Sequence, residues 1–174
     1  VATIAELTER ALIARITNLL PPAPEWVRVG IGDDAAVVET EPRRLEVLTT
    51  DAVIEGVHFD RTFTPPDAIG HRALAANLSD LAAMGATPQV ILVAAALGPA
   101  VTLEEFDELI DGMAEACIAL EVKVAGGDIV RGRSTSFTVT ALGGARLDRA
   151  SRAMVMRRDA AHRQAEALGR PRDR

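Results

Sequence analysis

Leu48-Thr49-Thr50-Asp51-Ala52-Val53-Ile54-Glu55-Gly56-Val57-His58-Phe59 is the stretch around which the chain is organised. It continues a β-type run from Leu45, in which alternating apolar residues and two threonines suit a pleated, half-buried strand. The pattern predicts a strand over Leu45 to Thr50 that ends at Asp51. A carboxylate placed after two hydroxyl residues and seven positions before a histidine puts oxygen donors and an imidazole on one loop, the kind of segment that carries function. Thr and Asp are also ordinary turn formers, so for this segment alone a plain turn is the simpler account. Three further acidic segments change that balance.

Upstream, Ile4, Leu7, Ala11, Ile13, Ile16 and Leu20 recur at mostly three- and four-residue spacing and predict an amphipathic helix over Ala2 to Leu20, closed by Pro21-Pro22-Ala23-Pro24. Val27-Arg28-Val29 alternates like a strand and leads into Gly30-Ile31-Gly32-Asp33-Asp34-Ala35-Ala36-Val37-Val38. The glycine spacing superficially matches a dinucleotide-binding fingerprint, but that motif needs a helix to open at its end, and Glu39-Thr40-Glu41-Pro42 arrives too soon. Two adjacent aspartates would also repel a phosphate unless a cation lay between them.

Downstream, Pro65-Pro66-Asp67 starts a helix predicted over Ala68 to Met84, with Gly85 as the left-handed residue just past its end. Leu74, Leu78, Leu81 and Met84 form its buried stripe, and Asn77 and Asp80 share a different face. Gln89 to Leu97 reads as a fully buried strand. Thr102 and Glu105 make a capping box for the next helix, which turns Phe106, Leu109, Ile110, Met113, Cys117 and Leu120 toward the core. A short strand over Val122 to Ala125 is predicted to end at Gly126-Gly127-Asp128, and Phe137 to Leu142 forms the last strand.

A chain of 174 residues has room for one well-cored domain, on a prior of roughly 100 to 200 residues each. With 48% apolar and only 3% aromatic residues, its core must be built from Ala, Val, Leu and Ile. The longest apolar run, Val90 to Leu97, falls short of the ~18 residues of a spanning helix, and no leader pattern is seen, so a soluble cytoplasmic protein without membrane contact is expected. Cys117 is the single cysteine, is expected to be a small buried apolar side chain, and fits a reducing compartment. The net charge of -6 conceals a split: residues 1–148 carry 11 basic and 22 acidic side chains, residues 149–174 carry 8 basic and 3 acidic. An acidic body offers no surface for nucleic acid.

Asp33-Asp34, Asp51, Asp80 and Asp128 with neighbouring threonines, and no Cys or His cluster, suit a hard cation such as Mg²⁺ rather than zinc. Mg²⁺ commonly recruits substrate phosphates, so aspartates converging from several segments point to nucleotide-phosphate chemistry. No P-loop and no protein-kinase signature set is present, and Lys123 is the only lysine. Any phosphate here must be handled by metal ions and glycine-backed amides.

Four motifs in order carry a resemblance: Gly30-Ile31-Gly32-Asp33-Asp34-Ala35-Ala36-Val37, Thr49-Thr50-Asp51 through Gly56-Val57-His58-Phe59, the Ala75-Ala76-Asn77-Leu78-Ser79-Asp80-Leu81-Ala82-Ala83-Met84-Gly85-Ala86 helix, and Gly126-Gly127-Asp128 with Arg131-Gly132. Together they resemble the thiamine-monophosphate kinase family of the aminoimidazole ribonucleotide synthetase superfamily, over about residues 1–153. The resemblance implies an α+β fold, a mixed or antiparallel sheet backed by helices, and ATP-dependent phosphorylation of thiamine monophosphate to thiamine diphosphate. It further implies that Asp34, Thr49, Thr50, Asp51, Asp80 and Asp128 hold several Mg²⁺ ions, that Gly127, Asp128 and Arg157 border ATP, that His58 touches the substrate, and that the chain pairs as a homodimer. Beyond the metal ligands no catalytic residue is implied.

Past Arg152-Ala153-Met154-Val155-Met156-Arg157 the text departs from the family pattern, becoming Arg158-Asp159-Ala160-Ala161-His162. The expected organisation is an ATP- and Mg²⁺-binding domain over residues 1–148, a divergent basic tail over 149–174, and no second domain, hence an incomplete form of the enzyme. The alternatives are a non-catalytic dimeric nucleotide- and Mg²⁺-binding remnant, or a related ATP-using synthetase of the superfamily.

Overall fold

Thr3 and Thr8 divide what the spacing predicted as a single helix. In the computed structural model, which describes residues 2–146, the Thr3 N–H donates to Glu6 Oε1 (3.2 Å) ahead of one 3-10 turn, Ile4–Glu6. Thr8 Oγ1 then accepts from the Ala11 N–H (3.3 Å) and starts α1, Glu9–Leu19. A hydroxyl that satisfies an orphan amide begins a new helix, which hydropathy periodicity cannot register. β1 (Val27–Val29) and β2 (Val37–Val38) pair as a short antiparallel ribbon. No helix follows Ala35, so the glycines there lack the helix N-terminus that a dinucleotide fingerprint requires.

The remaining elements follow in the order β3 (Leu45–Ile54), α2 (Pro66–Ala83), β4 (Thr87–Leu97), α3 (Leu103–Ala119), β5 (Lys123–Arg131) and β6 (Ser136–Ala145). The four long strands form one sheet in the order β3-β6-β4-β5. β6 is antiparallel to both of its neighbours, whereas β4 and β5 are parallel, joined by α3 as crossover. The fold is therefore α+β with a mixed sheet backed by helices, as expected.

Several expectations for the strands need correction, and β6, expected over Phe137 to Leu142, also runs longer, over Ser136–Ala145. β3 does not stop at Asp51, because every residue from Leu45 to Ile54 finds a register partner in β6. β5 does not stop before Gly126, because its pairing with β4 carries through Gly126, Gly127 and Asp128 to Arg131. β4 is not buried on both faces: Ile91 is wholly buried against the helices while Leu92 is 41% exposed. The helices cover one face of the sheet and leave Leu48, Ile54, Leu92 and Val130 open on the other.

Local chemistry sets the helix ends. Gly85 takes φ +68° beyond α2, and the N–H groups of Gly85 and Ala86 close back on Ala82 and Leu81 carbonyls (2.9 Å each), the left-handed cap expected there. Thr102 and Glu105 form the expected capping box of α3. Arg15 of α1 makes a bidentate pair with Asp107 of α3. Cys117 is buried, and burial pushes its thiol up to about 11, in keeping with a small apolar core side chain. Among the described residues no helix is long and apolar enough to cross a membrane.

α2 and α3 cross at a pair of glycines. A Cβ on Gly70 would overlap the Leu109 carbonyl, and one on Gly112 would overlap the Asp67 carbonyl, so each glycine admits the other helix's backbone. Gly112→Ala is accordingly expected to lower the melting temperature, with a loss of about 1–3 kcal/mol typical of overpacking. Chemical denaturation measures it, and an unchanged midpoint would mean that the helices do not approach this closely.

Candidate active site

The acidic residues singled out above fall into two groups. The first lies between β3 and α2. Thr49 Oγ1 donates to Asp80 Oδ2 at 3.2 Å, joining residues 31 positions apart. Asp51 follows two residues along β3 on the same face, by the strand's alternation, and its Oδ1 accepts from the Ala52 N–H (2.7 Å). Thr50 faces the other way: its hydroxyl donates to the Val139 carbonyl (3.1 Å) and accepts from Thr140 Oγ1 (3.2 Å) across the sheet. Asp51 and Asp80 are exposed and Thr49 half-buried, so oxygen donors are presented with part of their hydration intact.

The second group lies at the opposite edge of the sheet, around a cavity of about 350 Å³. Its walls are apolar: Ile13 and Ile16 from α1, and Phe106, Ile110 and Met113 from α3. Its rim carries Asp33, Asp34, Gly127 and Asp128. The β1–β2 turn packs against β5 at ordinary contact distance: a Cβ on Gly126 would stand 3.9 Å from the Ala36 Cβ, and one on Gly30 would stand 3.7 Å from the Ala125 carbonyl. Within the turn, Gly32 sits at φ +105° and the Asp34 N–H donates to Asp33 Oδ1 (2.8 Å), which ties the Asp33 carboxylate to the backbone of its neighbour. Gly127 is obligatory for a stronger reason. Its φ is +155°, and a Cβ there would collide with the Val93 carbonyl.

The sheet relates the two groups. Asp51 pairs with Val139, Val139 with Val93 and Val93 with Gly127, so Asp51 and Gly127 occupy one transverse row. They stand on its outer strands, three inter-strand spacings apart, roughly 14 Å. Among the described residues no three His, Cys, Asp or Glu side chains lie close enough to share an ion. The aspartates thus provide two sets of oxygen donors rather than one cage.

His58 lies on the loop after β3, with an exposed side chain whose Nδ1 accepts the Ile54 N–H at 3.1 Å. Arg157 lies outside the described residues, as do His162 and the rest of the basic tail. Asn77, expected on a face shared with Asp80, is wholly buried, and neither atom of its amide has a hydrogen-bond partner. The helix stripe is wider than the four residues first assigned to it, because α2 is covered by both the sheet and α3.

Sequence reasoning missed the cavity and the lock on the His58 loop. Phe106, Ile110 and Met113 were expected to face the core, and periodicity does not reveal that the space in front of them is unfilled. Arg61 carried no signal at all, yet its Nη2 donates to both Glu105 carboxylate oxygens (2.8 Å each). Partial burial pushes the Glu105 carboxyl up, but the Thr102 N–H and Arg61 outweigh it and hold the group below its ordinary range. A depressed carboxyl contributes stability above its unfolded value and loses it as pH falls through the folded one, so this pair is intact at neutral pH. Asp60 is held low by the Thr62 hydroxyl and N–H, which brace the same loop.

Comparison with known proteins agrees with this architecture. The thiamine-monophosphate kinase of Synechococcus elongatus is 38% identical over 141 residues, which is 81% of this chain and 41% of that protein. The crystal structure of thiamine-monophosphate kinase from Stenotrophomonas maltophilia K279a superposes with a TM-score of 0.66 at 37% identity, covering 80% of this chain and 43% of that one. A ThiL structure complexed with AMPPCP and TMP superposes with a TM-score of 0.57 at 31% identity, covering 83% and 44%. The chain spans between 36% and 45% of the length of the first curated relatives it matches. Residues 32–145, which run from the Asp33-Asp34 turn to the end of β6, match the family described as AIR synthase related protein, N-terminal domain, and the chain belongs to that family.

Proposed function

We propose that this chain is the nucleotide- and magnesium-binding domain, over residues 1–148, of a cytoplasmic, homodimeric kinase that uses ATP to phosphorylate thiamine monophosphate. The observation that carries this reading is the cavity between α1, α3 and β5. Its apolar walls suit a flat heterocycle, and Gly127 and two acidic segments line its rim, where the phosphate chain is proposed to lie. The ThiL relative complexed with AMPPCP and TMP supports the choice of both substrates.

The donor set fits magnesium. Carboxylate and hydroxyl oxygens on exposed or half-buried side chains suit a hard cation that keeps part of its water. Asp34 and Asp128 would hold ions at the cavity rim, and Thr49, Asp51 and Asp80 would hold them at the β3–α2 edge. Thr50 belongs to the proposed set from the far side of β3, where its hydroxyl donates to Val139 and accepts from Thr140 and keeps one lone pair for a cation. Bound magnesium supplies charge neutralisation for two polyanions and alignment of the reacting phosphates. Gly127 allows backbone approach at the rim, Arg157 is proposed to reach ATP, and His58 to contact the acceptor.

The acceptor chemistry explains why no general base stands out. A phosphate monoester has a second pKa near 6 and is already an anionic nucleophile at neutral pH. The protein must hold donor and acceptor in line, a contribution that can reach ~7 kcal/mol or more.

The exposed apolar side chains of the open sheet face, Leu48, Leu92 and Val130, are proposed to be covered by a second copy of the chain.

Two measurements test these readings. Mg²⁺ with a non-hydrolysable ATP analogue should raise the melting temperature by mass action, and Asp128→Asn should remove most of that rise while leaving the unliganded melt in place. A full ligand-induced shift in Asp128→Asn would overturn the assignment of the rim. For assembly, light scattering should give twice the chain mass, with Leu92→Glu shifting it to the monomer, and a monomeric wild type at micromolar concentration would refute the pairing.

A further inference from the structure

We infer that Arg61 is a positioning residue for His58: it holds the loop after β3 so that the imidazole keeps a single tautomer, with its proton on Nε2. The inference rests on the reading of His58 as an acceptor contact, and it concerns what His58 can offer there.

The His58 ring is tied at one nitrogen. Nδ1 accepts the Ile54 N–H, and a nitrogen accepting that bond cannot carry a proton. In the neutral ring the proton must then sit on Nε2, which makes that nitrogen a donor. A donor suits an oxygen of a phosphate ester, whereas the other tautomer would turn a lone pair toward an anion. The bond to Ile54 therefore decides whether His58 attracts or repels the proposed acceptor.

That bond holds only while the loop keeps its shape. The loop is closed by the Gly56 N–H on the Phe59 carbonyl (2.8 Å), with Gly56 at φ +79°, and by the Val57 and His58 N–H groups on the Ile54 carbonyl (3.1 and 2.8 Å). Phe59 is buried and anchors it from below. Its sideways attachment is Arg61. Besides Glu105, Arg61 Nη2 reaches the Ala100 carbonyl (3.3 Å), and Nη1 stands 3.9 Å from Glu55 Oε1.

Each of the two carboxylates is already fastened to a different part of the protein. Glu105 Oε2 accepts the Thr102 N–H (2.8 Å) at the start of α3, and Glu55 Oε2 accepts the Thr135 N–H (2.8 Å) before β6. Arg61 thus sits between two anchored anions. Without it they would face each other unscreened on a partly buried surface and push the loop away from α3. Lysine would keep the charge but lacks the planar fork that serves Glu105 and Glu55 together.

The test is a long-range proton–nitrogen correlation spectrum of the full 174-residue chain with labelled histidine, recorded at pH 8, where an ordinary imidazole is neutral. His58→Gln identifies the resonance. The wild type should show His58 in the Nε2–H form alone, Arg61→Ala should show averaged tautomers at His58 with His71 unmoved, and Arg61→Lys should fall between. Should Arg61→Ala fail to fold, Glu105→Gln, which keeps an acceptor for Thr102 but loses the charge, should produce the same averaging. A mixed tautomer in the wild type, or a pure Nε2–H form in the folded Arg61→Ala and Glu105→Gln proteins, would overturn the inference. The spectrum needs no ligand. If the tautomer behaves as expected but His58 does not shift when thiamine monophosphate is added, Arg61 keeps its role and the acceptor reading of His58 is what fails.

Discussion

The structure depends on the insertion of β6 between β3 and β4. It is the last described strand in the chain, and it has to pair along both of its edges. Thr50 and Thr140 bond to each other across 90 positions of sequence, so much of the chain must be ordered before this contact exists. Once β6 is seated, its ladder sets the row that runs from Asp51 through Val139 and Val93 to Gly127. Neither side of the candidate site is placed until that row is complete. The oxygen donors of β3 and the glycines of β5 are therefore linked through backbone hydrogen bonds and not through any contact of their own.

Where the backbone has to pass close to something, a glycine stands there, and the consequences differ with the neighbour. At Gly70 and Gly112 the neighbour is another helix, and the gain is a close crossing that buries Leu74, Leu109 and Met113. At Gly127 the neighbour is the Val93 carbonyl of the adjacent strand, and the gain is a strand that continues past a point where any side chain would force it apart. Gly127 also lines the cavity. β5 runs on past Gly127, α1 is tied to α3 by the Arg15–Asp107 pair, and apolar side chains of both helices line the space between them and the strand.

The carboxylates of the candidate site lie in water. Asp34, Asp51, Asp80 and Asp128 are all exposed, so the acidic segments coexist without the cost of burying unpaired carboxylates. Three of the partly buried charges, Arg61, Glu55 and Glu105, are compensated by one another and by backbone amides, and they hold shape. Exposed carboxylates at the site and compensated ones behind it are what a protein needs if its binding groups must meet cations while the scaffold stays fixed.

Much of this was legible in the sequence, for reasons that can be traced residue by residue. The capping box of Thr102 and Glu105, the left-handed Gly85, the absence of a helix after Ala35 and the existence of every long strand and helix all rest on interactions within a few positions, which local pattern records directly. The motifs around Asp34, Asp51, Asp80 and Asp128 were likewise visible as oxygen donors of one kind. Tertiary structure decided the rest. The ends of β3 and β5 moved because strand length is set by the partner's register, not by the strand's own residues. Asn77 went inside because two layers cover α2, and Leu92 came outside because only one layer covers the sheet. The separation of Asp51 from Gly127 by two intervening strands, the empty space before Phe106 and Ile110, and the clasp of Arg61 on Glu105 are all contacts between distant segments. A single sequence carries no local trace of such contacts, since any of several strand orders would have satisfied the same alternation of apolar and polar residues.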